Sequence, residues 1–132
     1  MSEPKTGSCL CGEITYVIDG PMNDITTCHC TQCRKQTGHH YAASKVRLEH
    51  YTISDPKGLL KWFRASEDAM RGFCSNCGST LFWQADNSEY RSVLVGTIDG
   101  PTGLKLGKQI FADDKGDYYE LSKDAPIHGQ GG

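Results

Sequence analysis

Seven cysteines constrain this chain more than any other feature, because they fall into three tight groups instead of scattering along its 132 residues. Cys9-Leu10-Cys11-Gly12 and Cys74-Ser75-Asn76-Cys77-Gly78 share one form: a cysteine pair followed at once by glycine. Thiolates so spaced reach a single ion, and glycine accepts the backbone angles that bring main-chain amides toward the sulfurs. Each pair is half of a tetrahedral site, and 62 residues separate Cys11 from Cys74. A structural zinc held by Cys9, Cys11, Cys74 and Cys77 would therefore close a long loop. Zinc binding in peptide sites of this kind is worth about 10–16 kcal/mol, comparable to a domain's whole stability. The plainer reading, buried free thiols, requires four cysteines to fall by accident into two chelating pairs.

The third group, Cys28-His29-Cys30-Thr31-Gln32-Cys33-Arg34, has no glycine after it and a different spacing. All three sulfurs can take one ion, leaving a fourth tetrahedral position to water, substrate or a side chain from elsewhere. Three thiolates donate more electron density than three imidazoles. They blunt the ion's power to acidify water and suit it to sulfur, so a thiol is the natural fourth ligand. A second, open zinc on Cys28, Cys30 and Cys33 is negatively charged, and Arg34 and Lys35 follow at once. These two are the candidates to neutralise the site or to bind the carboxylates of an acidic thiol substrate, against the reading of a solvated pair ending a turn. His39 or His40 could instead curl back and saturate the cluster as a structural Cys3His site. His29, between two ligand candidates, is expected to point away, and His50 and His128 to lie at or near the surface.

An odd number of cysteines cannot all pair within one chain, and a reducing cytosol disfavours disulfides in any case. The polar start Met1-Ser2-Glu3-Pro4-Lys5 leads to no apolar run long enough to cross a bilayer, so the expectation is a cytoplasmic protein. Fourteen basic against sixteen acidic residues leave a net charge of -2. That balance gives no general attraction to phosphate backbones or anionic lipid and argues against nucleic-acid and membrane partners. With 37% hydrophobic residues the core is lean and gains from metal cross-links. One domain is expected over 1–132, with its core in 6–122 and a flexible tail in 123–132 that ends Gly129-Gln130-Gly131-Gly132.

Short β-rich runs bounded by turn residues dominate the chain: Glu13 to Ile18, Tyr41 to Val46, Tyr51 to Ile53, Leu59 to Phe63, Thr80 to Gln84, Tyr90 to Val95 and Gln109 to Ala112. Thr31 to Thr37, closed by Gly38, reads as a short helical turn, as does Pro21 to Thr26. The fold class is mainly β, an antiparallel sheet with few short helical turns.

These motifs resemble the glutathione-dependent formaldehyde-activating enzyme family, which includes the centromere protein V domain and has an Mss4-like fold. Its carriers are Gly7-Ser8-Cys9-Leu10-Cys11-Gly12, Cys28 to Arg34, Phe73-Cys74-Ser75-Asn76-Cys77-Gly78-Ser79 and Gly96-Thr97-Ile98-Asp99, and the likeness runs from about Gly7 to Tyr119. The resemblance implies the same division of the cysteines: a structural zinc on Cys9, Cys11, Cys74 and Cys77, and a catalytic one on Cys28, Cys30 and Cys33, the latter easier to lose with three ligands. It implies a zinc-dependent carbon–sulfur lyase that adds glutathione, or a related thiol, to formaldehyde or another small electrophile. The alternative is a non-enzymatic zinc-stabilised module that binds another protein. The chain departs from the family in the late strand, where many members have His-Ile and this sequence has Gln109-Ile110, and in Tyr118-Tyr119, near a frequent tryptophan.

Overall fold

Thr15–Ile18 shows in miniature how the chain makes its core: Tyr16 and Ile18 turn inward while Thr15 and Val17 face water, the period of a half-covered strand. The computed structural model describes residues 3–131; Met1, Ser2 and Gly132, which the expected domain limits include, lie outside the described residues. The elements run β1 (Lys5–Ser8), β2 (Thr15–Ile18), β3 (Ile25–Cys28), α1 (Thr31–Thr37), β4 (Tyr41–Arg47), β5 (Tyr51–Ser54), β6 (Leu60–Arg64), β7 (Ala69–Cys74), β8 (Thr80–Ala85), β9 (Tyr90–Leu94) and β10 (Leu106–Ile110), with three 3-10 turns between them. No helix among the described residues is long and apolar enough to cross a membrane.

Two sheets result. The smaller has the order β1-β2-β5 and the larger the order β10-β3-β4-β9-β8-β7-β6. Every ladder is antiparallel except that of β10 with β3, which is parallel. Ile14, Tyr16 and Ile18 meet Val46, Leu81, Phe82 and Val93 in the main core, so the small sheet covers one face of the large one. A second cluster of Cys28, Cys33, Tyr41, Ala43 and Leu94 forms elsewhere on the large sheet.

The expected helical turn at Pro21 to Thr26 is absent. Residues 21–24 are irregular and Ile25 begins β3, because the β-branched Thr26 and Thr27 pair on both sides, with β10 and β4. The late strand runs over Leu106–Ile110, not Gln109 to Ala112: Phe111 has a φ of 54° and Ala112–Asp114 turn as a 3-10 helix. Strands β1 and β7 have no counterpart among the sequence-derived runs. The segment after 123, expected to be flexible, lies beside β10: Gln109, Phe111 and Ala112 donate backbone hydrogen bonds to the carbonyls of Pro126, Gln130 and His128. The side chain of Gln109 completes this seam, its amide reaching the carbonyls of Ser122 and Ala125 and its oxygen accepting from the Ser122 amide.

The Gly96-Thr97-Ile98-Asp99 segment ties the two sheets together. The Thr97 hydroxyl donates to the Leu94 carbonyl at 2.7 Å and therefore accepts, at 2.6 Å, from the Tyr16 phenol. Burial pushes that phenol up to about 12, so it remains a donor at neutral pH. The Thr6 hydroxyl meets Asp99 at 2.8 Å, and a Cβ on Gly7 would collide with the Tyr16 ring and the Thr97 carbonyl. This motif is a clamp, and only glycine fits beneath it.

Candidate metal centres and the cavity beside one of them

In the four-cysteine cluster, the ligand atoms of Cys9, Cys11, Cys74 and Cys77 all lie within 4.8 Å of one another. A tetrahedral ion with bonds of about 2.3 Å spaces its sulfurs by about 3.8 Å, and the Cys9–Cys11 and Cys11–Cys74 separations are 3.6 and 3.8 Å. The local sequence builds each half. Gly12 and Gly78 have φ of 80° and 81°, the left-handed turn that glycine adopts without steric cost. Amides then point at sulfur: Ile14 N–H to Cys9 at 3.4 Å and Cys77 N–H to Cys74 at 3.5 Å. A hydrogen bond from the Ser79 hydroxyl, then main-chain amides, hold the Cys77 thiol down to about 5. Four sulfurs that each accept hydrogen bonds or sit at the edge length of a tetrahedron fit a closed zinc site.

The second cluster sits where β3 runs into α1. Cys28 ends the strand, Cys30 caps the helix by accepting from the Cys33 amide at 3.4 Å, and Cys33 is 3% exposed on the helix face turned to the sheet. Their sulfurs again lie within 4.8 Å of one another, and among the described residues no histidine, aspartate or glutamate joins them in that range. His29 turns the other way, between the Thr27 hydroxyl at 3.0 Å and the Tyr119 hydroxyl at 2.7 Å. Its ring, with those of His39, His40, Tyr118 and Tyr119, forms an aromatic cluster. The His39 and His40 alternative for a saturated site therefore has no support in this geometry.

Hydrogen bonding from Cys28 and then from Arg71 holds the Cys33 thiol down to about 6, while Cys28, the donor in that pair and itself buried, is pushed up. The Arg71 guanidinium donates to the Cys33 sulfur at 3.3 Å and to the Gln36 side-chain oxygen at 2.8 Å. Arg71 is only 4% exposed. Nothing in the sequence pointed to it; it belongs to the unforeseen strand β7 and comes from 38 positions beyond Cys33.

A cavity of about 350 Å³ opens beside the cluster. Strand register explains its walls, since residues directly opposite in a ladder share a face. Lys108 pairs Thr26, which pairs Ala43; Ile110 pairs Cys28, which pairs Tyr41. Farther along, Lys45 pairs Ser92, Ser92 pairs Trp83 and Trp83 pairs Arg71. All of these line the cavity, with Phe111 and with Cys30, Gln32 and Cys33 of the helical turn, and it contains three cations and no carboxylate. Gln109 alternates to the opposite face, so this family departure does not touch the cavity, whereas Ile110 does.

Arg34 and Lys35 do not line the cavity. Gln32, Cys33 and Gln36 use the inward side of α1, with Gln32 reaching the Ala65 carbonyl and Gln36 the Thr80 hydroxyl. Arg34 projects elsewhere, its guanidinium donating to the Asp114 carbonyl at 3.0 Å, and Lys35 is exposed. The cations that line the cavity are those of the sheet, Lys45, Arg71 and Lys108.

Comparison with known proteins agrees with this architecture. The family profile for glutathione-dependent formaldehyde-activating enzymes matches residues 4–114. An uncharacterized lyase of Schizosaccharomyces pombe is 28% identical over 119 residues, spanning 88% of this chain and 84% of that protein. A crystal structure of a Rhodobacter sphaeroides protein is similar in fold, with a TM-score of 0.62 at 24% identity over 74% of this chain and 91% of that one.

Proposed function

Because the chain belongs to the glutathione-dependent formaldehyde-activating enzyme family, we propose that it is a carbon–sulfur lyase joining glutathione, or a related acidic thiol, to a small aldehyde. One observation carries this reading: a three-sulfur cluster, without a fourth protein ligand in range, opens onto a cavity with three cations and no carboxylate.

In this reading Cys9, Cys11, Cys74 and Cys77 hold a structural zinc, and Cys28, Cys30 and Cys33 hold a second. Zinc bound at the second cluster supplies Lewis acidity that favours a deprotonated sulfur at neutral pH. The chain supplies the rest. Lys45 and Lys108 attract the two carboxylates of a glutathione-like thiol, while Trp83, Ile110 and Phe111 exclude water from the reacting carbon. Holding the thiol sulfur and carbonyl carbon together removes the entropic cost of their encounter. The new carbon–sulfur bond forms as the carbonyl π bond breaks, and the proton lost by the thiol ends on the new hydroxyl. No imidazole or carboxylate lines the cavity to carry that proton.

The test is metal stoichiometry in freshly reduced protein, followed by X-ray absorption at the zinc edge with and without glutathione. The expected result is two zincs per chain and an added sulfur ligand when glutathione is present, with hydroxymethylglutathione formed from formaldehyde. A single zinc, or a second one indifferent to glutathione, would favour a protein-binding module.

A further inference from the structure

Arginine buried in a protein interior costs free energy unless an anion faces it. Arg71 is buried, yet the carboxylates that pair with cations in the described residues all serve Arg47, Lys57 and Arg64. Its two hydrogen-bond acceptors both come from α1: the Cys33 sulfur and the Gln36 oxygen, three residues apart and so on one helix face. Gln36 is fixed in turn by donating to the Thr80 hydroxyl on β8. The guanidinium is thus held at two separate nitrogens, Nη1 and Nη2, whose spacing is fixed in a planar fork and has no counterpart in an ammonium.

Charge explains why it is there. Three thiolates around a divalent cation leave one negative charge, and a thiolate arriving as fourth ligand would double it in a partly desolvated pocket. A guanidinium against Cys33 cancels the first of these charges beside the cavity that Arg71 lines. Resting on the reading of Cys28, Cys30 and Cys33 as a zinc site, we propose that Arg71 is the built-in counter-cation of that site. As a positioning residue it orients the Cys33 sulfur and makes the site prefer an anionic thiol over neutral water as fourth ligand.

Cobalt(II) titration of the reduced full chain tests this, because sulfur-to-cobalt charge-transfer bands report ligand number and the two clusters serve as each other's control. Arg71→Met is expected to weaken the second cobalt equivalent by about 10–100-fold, the range for lost outer-shell partners, while the first equivalent binds as in wild type. At full cobalt loading it should also need at least about tenfold more glutathione to acquire the spectrum of a four-sulfur site, the lower end of that range. Arg71→Lys, which keeps the charge and loses the fork, should fall between the two. Arg64→Met, which removes an exposed cation from neighbouring β6, should match wild type. Equal weakening of both equivalents in Arg71→Met would mean a merely structural arginine and overturn the proposal. So would unchanged affinity with an unchanged glutathione requirement, or a lysine variant no better than methionine. A wild-type chain taking up one equivalent only would remove the site and the functional reading with it, whereas two equivalents with an indifferent Arg71→Met remove the arginine's role alone.

Discussion

Around Cys9, Cys11, Cys74 and Cys77 the neighbours are main-chain amides and the Ser79 hydroxyl; around Cys28, Cys30 and Cys33 a buried guanidinium and a cavity join the one local amide, that of Cys33 on Cys30. The first set of partners comes from turns within a few residues of each sulfur, delivered by Gly12 and Gly78. In the second the guanidinium comes from a strand far along the chain. Locally delivered dipoles suit a site that only has to hold an ion, because nothing need approach and the four ligands saturate it. A site meant to admit an anionic ligand has to keep one side open, and charge balance must reach it from elements that the helix does not control.

The sharpest way to break this contrast is to remove one sulfur from each cluster. Cys77→Ser is expected to cost about 5 kcal/mol or more, since loss of a structural site forfeits much of its binding free energy. Cys30→Ser should stay within about 2 kcal/mol of wild type while lowering kcat/KM by at least about 100-fold, the upper range for a lost outer-shell partner being the least that a lost ligand should cost. Thermal unfolding at fixed zinc loading, beside an aldehyde–thiol assay, reads both. Equal destabilisation by the two variants would erase the division between a closed and an open cluster.

A smaller effect probes the clamp that seats the small sheet over the four-cysteine side. Gly7→Ala places a methyl group against the Tyr16 ring and the Thr97 carbonyl, and overpacking of this kind costs about 1–3 kcal/mol. Denaturant titration should show that loss, with glutathione affinity unchanged because the clamp lies outside the cavity lining.

The smallest expected effect concerns the imidazoles near the open cluster. Burial, reinforced by His39 and His29, pushes His40 from 6.5 down to about 4. The unfolded chain therefore takes up its proton first as pH falls, so stability drops between about 6.5 and about 4 and is fully present above that window. The residue is only partly buried, and screening by solvent holds the loss to about 1 kcal/mol. His40→Gln should remove this slope in denaturant midpoints measured across the window, with metal stoichiometry unchanged. A lost zinc in that variant would restore His40 as a ligand.

Local signals in the sequence were read well where local forces decide. Helix α1 runs Thr31–Thr37 with Gly38 at a φ of 79°, as its closing glycine foretold, and most strands follow their β-branched and aromatic runs. Strand β1, Lys-Thr-Gly-Ser, carries no apolar alternation, and β7 has a glycine and an arginine inside it; pairing with neighbours makes both. Pro21 to Thr26 misled because a proline followed by polar residues opens a helical turn as readily as a loop, and only the partners of β3 settle it. Gln109, where the chain departs from the family's His-Ile, is turned by parity in β10 toward Ser122 and Ala125 and away from the cavity.

By itself the sequence determined the partition of the seven cysteines, because chelating spacing is a local property of four to six residues and survives whatever fold surrounds it. It also carried the expectation that a divalent ion held there by three thiolates, one negative charge in excess, would draw cations. Which cations line the cavity beside it was decided only in three dimensions. Arg34 and Lys35 are adjacent in sequence, but Arg34 turns to the Asp114 carbonyl and Lys35 is exposed, whereas Lys45, Arg71 and Lys108 are brought together by strand register across the larger sheet. Adjacency fixes distance along the chain, while the direction of a side chain follows from strand parity and helix phase, and those take effect only once the sheet has paired.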